Sequence, residues 1–243
     1  MAEATEQHMK VRHRTRIKIC GLTREADVDA AVHAGADAIG FVLYSKSPRA
    51  VSYARACELA GRLPAFVTPV LLSVNSETTD LIALHAVNTP ANPRFVLQFH
   101  GDESPKQCAA AQIPFMRAAR IPLGGEAGFD LVEFCQDYRA AQAILVDAHV
   151  DGYGGGGKAF DWTAIQWSHP QINASSRIVL SGGLSTANIA AAIEHVRPWA
   201  VDVSSGVELD DPAGGTQKGL KDPKKIIEFI AAVRCADDIL SKS

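Results

Sequence analysis

The sequence lacks the features of several large protein classes. It has no uninterrupted apolar run of about 18 residues, which a transmembrane helix requires, and its net charge of −3 with a pI near 6.2 provides no basic excess for nucleic acid. The first fifteen residues are polar and contain no apolar core of a secretory signal. We therefore expect a cytoplasmic protein whose partner is a small molecule rather than a membrane or nucleic acid. Residues 1–15 are expected to form a flexible N-terminal extension.

Cysteine is scarce and dispersed along the chain. The five cysteines are Cys20, Cys57, Cys108, Cys135 and Cys235. No two of them have CxxC spacing, so the sequence indicates neither a disulfide framework nor a zinc site. Histidine and acidic residues also lack the spacing of metal ligands on a helix or hairpin. We expect no bound metal.

The rest of the chain alternates between short apolar runs and helical segments. The predicted strands are Arg16–Cys20, Ala38–Leu43, Thr68–Val74, Arg94–Phe99, Pro114–Ala119, Ala143–Val146, Arg177–Leu180 and Ala200–Val203. The predicted helices are a first one capped by Thr23 and ended by Gly35, then Ser52–Gly61, Glu77–Val87, Ser104–Ala111, Asp130–Tyr138, a short one from Trp162, Thr186–His195 and Pro223–Ala236. Eight strand–helix units in this length predict an α/β fold, a single-domain (β/α)8 TIM barrel over residues 16–243. An open doubly wound sheet is the alternative, but no GxGxxG follows the first strand.

Glycine clusters follow three late strands. Gly154–Gly157 comes after the sixth strand, Gly182–Gly183 after the seventh, and the Ser204–Ser205–Gly206 turn after the eighth. One such cluster can be a linker or a tight turn, but three on neighbouring strands predict a phosphate site, because bare backbone N–H groups at the carboxyl end of a barrel favour an anion.

Reactive side chains also cluster at the predicted strand ends. They are Cys20, Arg49, Gln98, His100 and Asp147. A lone cysteine on a strand is usually inert core, but Cys20 is the last strand residue and should face the barrel mouth. His100 can be structural or can contact a ligand. Arg49 can be an ordinary surface residue or can bind a carboxylate through its fork of donors.

The motifs KICGLT at 18–23, GADAIGFVLYSKSPR at 35–49, LQFHGDE at 97–103, GGGGKAFDW at 154–162, LSGGL at 180–184 and AVDVSSGVE at 200–208 resemble those of phosphoribosylanthranilate isomerases of tryptophan biosynthesis. The resemblance implies a cofactor-independent Amadori rearrangement, with Cys20 as general base and Asp147 as general acid. It further implies that Arg49 binds the anthranilate carboxylate and that His100 lines the pocket. The phosphate region would comprise Gly156, Gly157, Gly182, Gly183, Asp202, Ser204, Ser205 and Gly206.

The expected chemistry places opposite demands on two groups. Asp147 has to hold a proton for the ribose ring oxygen, although a free aspartate is ionised at neutral pH. Cys20 has to act as a thiolate. The nearest rival, the related sugar isomerase of histidine biosynthesis, uses an Asp in place of Cys20 and needs a second phosphate loop, whereas this chain has only Val74–Asn75–Ser76 in that half. A noncatalytic phosphate-binding barrel is a third alternative. The sequence leaves a monomer and a homodimer equally open.

Overall fold

A computed structural model describes residues 14–86, 94–122, 129–149, 161–170, 172 and 177–242. Residues 1–13 of the predicted N-terminal extension, the predicted helix end at Val87, and the four-glycine loop with Gly156 and Gly157 lie outside these residues. Eight parallel strands close into a barrel in sequence order. They are β1 (Arg16–Cys20), β2 (Ala38–Val42), β3 (Thr68–Ser73), β4 (Val96–Phe99), β5 (Phe115–Pro122), β6 (Ala143–His149), β7 (Ile178–Leu180) and β8 (Ala200–Val203). The predicted (β/α)8 barrel is confirmed.

Helices cover the outside of the barrel. The described ones are α1 (Glu25–Ala34), α2 (Tyr53–Ala60), α3 (Thr78–Ala86), α4 (Pro105–Ala110), α5 (Leu131–Asp137), α6 (Ile189–Val196) and α7 (Pro223–Leu240), with short 3₁₀ turns at Trp162–Ala164 and Ser205–Val207. None of these helices has the length and apolar character that a bilayer crossing requires.

Local signals explain several helix boundaries. Ser52 accepts a hydrogen bond from the Arg55 amide at the start of α2, and Ser104 forms a capping box with Gln107 at the start of α4. Gly35 ends α1 in the left-handed region at φ 96°. Each of these residues satisfies backbone groups that the helix itself leaves unpaired.

Alternation along the strands divides the core into an inner and an outer part. One apolar cluster fills the barrel interior and consists of Val70, Met116, Ala118, Ala143, Leu145, Val179 and Ala200. The intervening residues, such as Ile17 and Ile19 of β1, point outward and pack in the larger core shared with the helices. Interior positions beyond the apolar cluster, towards the carboxyl ends of the strands, include the polar residues Gln98, Asp147 and Asp202, and there the candidate site lies.

Three sequence predictions need correction. Thr23 does not cap α1: Arg24 is the N-cap residue, and the Thr23 hydroxyl donates to the Gly219 carbonyl at 2.9 Å. β6 runs on to His149, so Asp147 lies within the strand rather than after it. Thr15 does not belong to a loose extension, because it is fully buried and its amide and hydroxyl both donate to Asp237 of α7, at 2.9 and 2.6 Å.

An antiparallel hairpin was not predicted at all. β9 (Glu208–Asp210) pairs with β10 (Thr216–Lys221) beyond the end of β8. Gly219 of β10 approaches the loop after β2, since a Cβ on it would lie 3.3 Å from the Pro48 carbonyl oxygen. The hairpin therefore brings new side chains to the carboxyl end of the barrel.

Candidate active site

Cys20 is the last residue of β1 and belongs to the interior face of the barrel. Its register partner on β2 is Gly40, where a Cβ would lie 2.7 Å from the Cys20 sulfur. The other apolar neighbours are Val42, Leu72 and Val74, and only 5% of Cys20 is exposed. The thiol is therefore more enclosed than the sequence predicted, and this burial raises its pKa.

Asp147 projects from β6 on the same face as interior Leu145. Its Oδ2 lies 3.4 Å from Nε2 of His100, which directly follows β4. The amide nitrogen of Gln98 lies 3.0 Å from Nδ1 of the same ring. Since an amide nitrogen only donates, Nδ1 accepts and Nε2 directs its hydrogen towards Asp147. His100 thus contacts the proposed acid, which the sequence did not distinguish from a structural role.

Two buried polar atoms, on the paired side chains of Gln98 and His100, lack a hydrogen-bond partner within the part of the chain that the structure describes. They are Oε1 of Gln98 and Nε2 of His100, whose 3.4 Å contact with Asp147 is longer than an ordinary hydrogen bond. Buried polar groups are normally satisfied. These atoms are consistent with a polar ligand in the barrel mouth.

The glycine turns after β7 and β8 lie against each other. Gly182 and Gly183 have positive φ values of 84° and 64°, and a Cβ on Gly182 would lie 3.0 Å from Oδ1 of Asp147. A Cβ on Gly206 would overlap the Leu184 carbonyl oxygen, so the turn after β8 packs directly on the loop after β7. Both turns require glycine, and the one after β7 borders the Asp147 carboxyl group.

Ser204 and Ser205 begin the 3₁₀ turn after β8. The Ser204 hydroxyl donates to the Cys20 carbonyl at 3.0 Å, and the Lys221 ammonium donates to the Ser204 carbonyl at 2.9 Å. Ser204 therefore ties the turn after β8 to the end of β1. Ser205 and Gly206 lie within the 3₁₀ turn itself.

Asp202, which the sequence placed in the phosphate region, has a side chain that is paired within the barrel. It is an interior residue of β8, and its Oδ1 accepts a hydrogen bond from the Lys18 ammonium at 2.8 Å. Its Oδ2 accepts one from the Ser181 hydroxyl at 3.3 Å. The Asp202 carboxylate is therefore engaged by Lys18 and Ser181, and the place of Asp202 in the phosphate region stays a prediction.

Arg49 is buried, and its fork of donors is already in use. Nε and Nη2 donate to the two carboxylate oxygens of Glu208 on β9, at 2.6 and 2.8 Å. Glu208 also accepts from the Lys221 ammonium at 3.2 Å and from the Gly219 amide at 2.9 Å. Burial alone would raise the pKa of Glu208, but these donors bring it down to about 2. The bidentate edge predicted for a substrate carboxylate is therefore occupied by Glu208.

Around the closed barrel, β7 and β8 separate β6 from β1 on the shorter path. The Asp147 carboxyl group and the Cys20 thiol therefore flank the two glycine turns at the same end of the barrel. This arrangement leaves room for an anionic ligand between a carboxyl group and a thiol. Among the described residues, no three His, Cys, Asp or Glu side chains form a group that could hold a metal.

The family model for N-(5′-phosphoribosyl)anthranilate isomerase matches residues 17–232 of the chain. The chain belongs to the N-(5′-phosphoribosyl)anthranilate isomerase family. The predicted resemblance is confirmed, and the chain is an isomerase rather than a noncatalytic barrel. The family assignment also sets it apart from the sugar isomerase of histidine biosynthesis.

Relatives in the family cover nearly the whole chain. The N-(5′-phosphoribosyl)anthranilate isomerase of Methylibium petroleiphilum is 56% identical over 92% of this chain and 96% of its own length. That of Leptothrix cholodnii is 54% identical over 92% and 93%. The solved structure of phosphoribosyl anthranilate isomerase from Thermotoga maritima has a TM-score of 0.76 at 36% identity, with 91% of this chain and 99% of that chain covered.

Four residues beside the site were not singled out from the sequence, although three lie in motifs quoted for the isomerase family. They are Lys18, Gly40, Glu208 and Lys221. A lysine that alternates with isoleucines in RIKIC was a usable signal, because it places a charge on the interior face of the barrel. The other three depend on contacts between distant segments.

Proposed function

We propose that Cys20 is the general base and Asp147 the general acid of the Amadori rearrangement of N-(5′-phosphoribosyl)anthranilate. One observation supports this proposal above all. The thiol and the carboxyl group belong to interior residues at the carboxyl ends of β1 and β6, with the glycine turns after β7 and β8 between them. A sugar phosphate held by those turns has one group on each side.

The first proposed step opens the ribose ring. Asp147 gives its proton to the ring oxygen, the C1′–O bond breaks, and the anilino nitrogen supplies the electron pair that forms a C=N bond. His100 faces the carboxyl group at 3.4 Å and limits its orientation. Gly182 leaves room for the substrate and the carboxyl group at the end of β7.

The second proposed step moves a proton from carbon to sulfur. The iminium makes the C2′ proton acidic, so the Cys20 thiolate takes it, an S–H bond forms, and the C–H electron pair yields the enolamine. The enolamine then tautomerises to the 1-deoxyribulose product. The iminium supplies the electron sink that a cofactor provides in other carbanion chemistry, and we propose a cofactor-independent reaction.

The anionic ends of the substrate have separate proposed contacts. Backbone N–H groups of Gly182, Gly183, Ser205 and Gly206 bind the phosphate, and Gly156 and Gly157 belong to the same proposal but lie outside the described residues. The anthranilate carboxylate approaches Arg49 through the part of the guanidinium that Glu208 does not use. A related enzyme supports this substrate class: a phosphoribosyl anthranilate isomerase in complex with reduced 1-(o-carboxyphenylamino)-1-deoxyribulose 5-phosphate is 32% identical, with a TM-score of 0.71.

Location and assembly belong to the proposal as well. We propose a cytoplasmic enzyme that is a monomer or a homodimer. The T. maritima isomerase from which monomers were generated is dimeric, and it is 33% identical to this chain.

The roles of Cys20 and Asp147 are tested by Cys20→Ala and Asp147→Asn. Each substitution should lower kcat by about 10²- to 10⁴-fold or more, because removal of a general acid or base has effects of this size. The loss of anthranilate fluorescence with purified enzyme measures the rate. Cys57→Ser on the outer helix α2 is the matched control and should retain full activity. Wild-type turnover in Cys20→Ala or Asp147→Asn contradicts the role assigned to that residue.

A further inference from the structure

Lys18 is a buried charge for which the proposed mechanism has no role. It lies on β1 two residues before Cys20, with 3% of the residue exposed. Its ammonium pairs with Asp202 at 2.8 Å, and Ser181 donates to the other carboxylate oxygen. A buried ion pair is weak support for stability, because desolvation offsets much of the attraction. Its position therefore suggests a different use.

The ammonium of Lys18 lies next to the sulfur of Cys20. Residues two apart on a strand share a face, so both side chains enter the barrel. A Cβ on Gly40 would lie 2.7 Å from the Cys20 sulfur and 3.1 Å from the Lys18 ammonium nitrogen. Both atoms thus occupy the space that the missing Gly40 side chain leaves open.

The remaining surroundings of Cys20 make this lysine the principal source of positive charge. Val42, Leu72, Val74 and Tyr44 form an apolar wall from β2, β3 and the segments that follow them. Burial among these residues raises the pKa of Cys20, and the Asp202 carboxylate raises it further. Lys18 lowers this pKa most strongly, and Lys221 of β10 lowers it to a smaller extent.

Lys18 itself remains charged in this environment. Burial alone would lower its pKa, but the Asp202 carboxylate and the Cys20 sulfur outweigh burial and raise it. Asp202 therefore keeps the ammonium protonated and fixes its position beside the thiol.

We propose that Lys18 is a positioning residue that stabilises the Cys20 thiolate, and that Asp202 holds its ammonium in place. The inference rests on the proposed role of Cys20 as the base. In the reaction, Cys20 gains and loses the proton while Lys18 keeps its own. The attraction between ammonium and thiolate is strongest before the proton is taken, and it offsets the cost of a buried anion.

The positive charge of Lys18 should set the pKa of the Cys20 thiol. Lys18→Met should raise the apparent pKa of Cys20 by roughly one unit or more, with alkylation at pH 7.5 roughly tenfold slower because only the thiolate reacts. Lys18→Arg retains the charge and should restore most of the wild-type value.

The measurement is the pH dependence of iodoacetamide alkylation at Cys20, followed by mass spectrometry of the Cys20 peptide. The exposed Cys235 in each sample is the internal control and should titrate identically in all variants. Circular dichroism verifies folding. Should a single variant fail to fold, Lys18→Met/Asp202→Asn removes both charges and should still raise the pKa of Cys20, because the effect of Lys18 is the larger of the two.

Two outcomes would overturn the inference: an unchanged thiol pKa in Lys18→Met, or a thiol pKa in Lys18→Arg as high as that in Lys18→Met. A purely structural ion pair predicts the first outcome. The alkylation readout does not depend on catalysis. Failure of the proposed base is recognised separately, by activity in Cys20→Ala, whatever the thiol pKa of the lysine variants.

Discussion

The carboxylate of Glu208 organises the buried charges between the hairpin and the barrel. Glu208 is fully buried and accepts hydrogen bonds from Arg49, Thr216, Gly219 and Lys221. Glu208→Gln keeps the shape of the side chain but removes its negative charge. It also turns an amide N–H group towards the donors that bind the carboxylate in the wild type. A pKa lowered from 4.5 to about 2 corresponds to about 3 kcal/mol of folding free energy. We expect the variant to lose about that amount near neutral pH.

The sign of the pH dependence follows from the lowered pKa. The contribution of Glu208 is fully present above its unfolded pKa of 4.5 and is lost as the pH falls through the folded value of about 2. The gap in unfolding free energy between wild type and variant should therefore hold from pH 7 to about 5 and shrink to roughly half at pH 3. Urea denaturation followed by circular dichroism measures the gap.

The control for this experiment lies on the same strand. Asp210→Asn removes an exposed ion pair with Lys225, which should change stability by less than about 1 kcal/mol. The reasoning is refuted if Glu208→Gln unfolds with the wild-type free energy at pH 7, or if the gap stays constant down to pH 3.

Two further substitutions test contacts that the fold creates. Gly40→Ala places a methyl group 2.7 Å from the Cys20 sulfur, so it should lower the free energy of unfolding by about 1–3 kcal/mol through overpacking and reduce kcat/KM. The control Gly61→Ala, at the end of α2 with its nearest contact at 3.4 Å, should change neither quantity. Equal behaviour of the two variants in urea titrations and rate assays contradicts the Gly40 contact. Thr15→Val removes a buried donor to Asp237 and should lower the free energy of unfolding by about 1–3 kcal/mol. An unchanged thermal midpoint would show that Thr15 does not contribute to the folded barrel.

The sequence predicted the barrel and the end of it at which the candidate side chains lie. Apolar runs without alternation indicate strands buried on both faces, and the spacing of helices between them indicates parallel pairing; both are local signals that the structure confirms. Cys20 and Asp147 could be selected because strand ends are recognisable without knowledge of the fold. The family motifs identified the reaction class more specifically than any of these patterns.

The errors arose where a side chain finds its partner far along the chain. Thr23 looked like a helix cap because its type and position fit one, but Gly219 offers it a better acceptor from β10. The sequence also contained no sign of the partner of Asp202, because only barrel closure pairs β8 with β1 and brings its side chain to Lys18. Arg49 looked free because Glu208 lies 159 residues away.

Local pattern was therefore enough to predict the architecture and to select Cys20 and Asp147 as candidate reactive residues, because strand and helix periodicity and strand ends are properties of short segments. Tertiary structure alone decided which buried charges pair with one another. It also decided that the Cys20 sulfur and the Lys18 ammonium share the space beside Gly40. These contacts form only when β1 closes against β8 and the β9–β10 hairpin folds over the barrel end. The electrostatic environment of the Cys20 thiol is accordingly a property of the closed barrel and not of any segment within it.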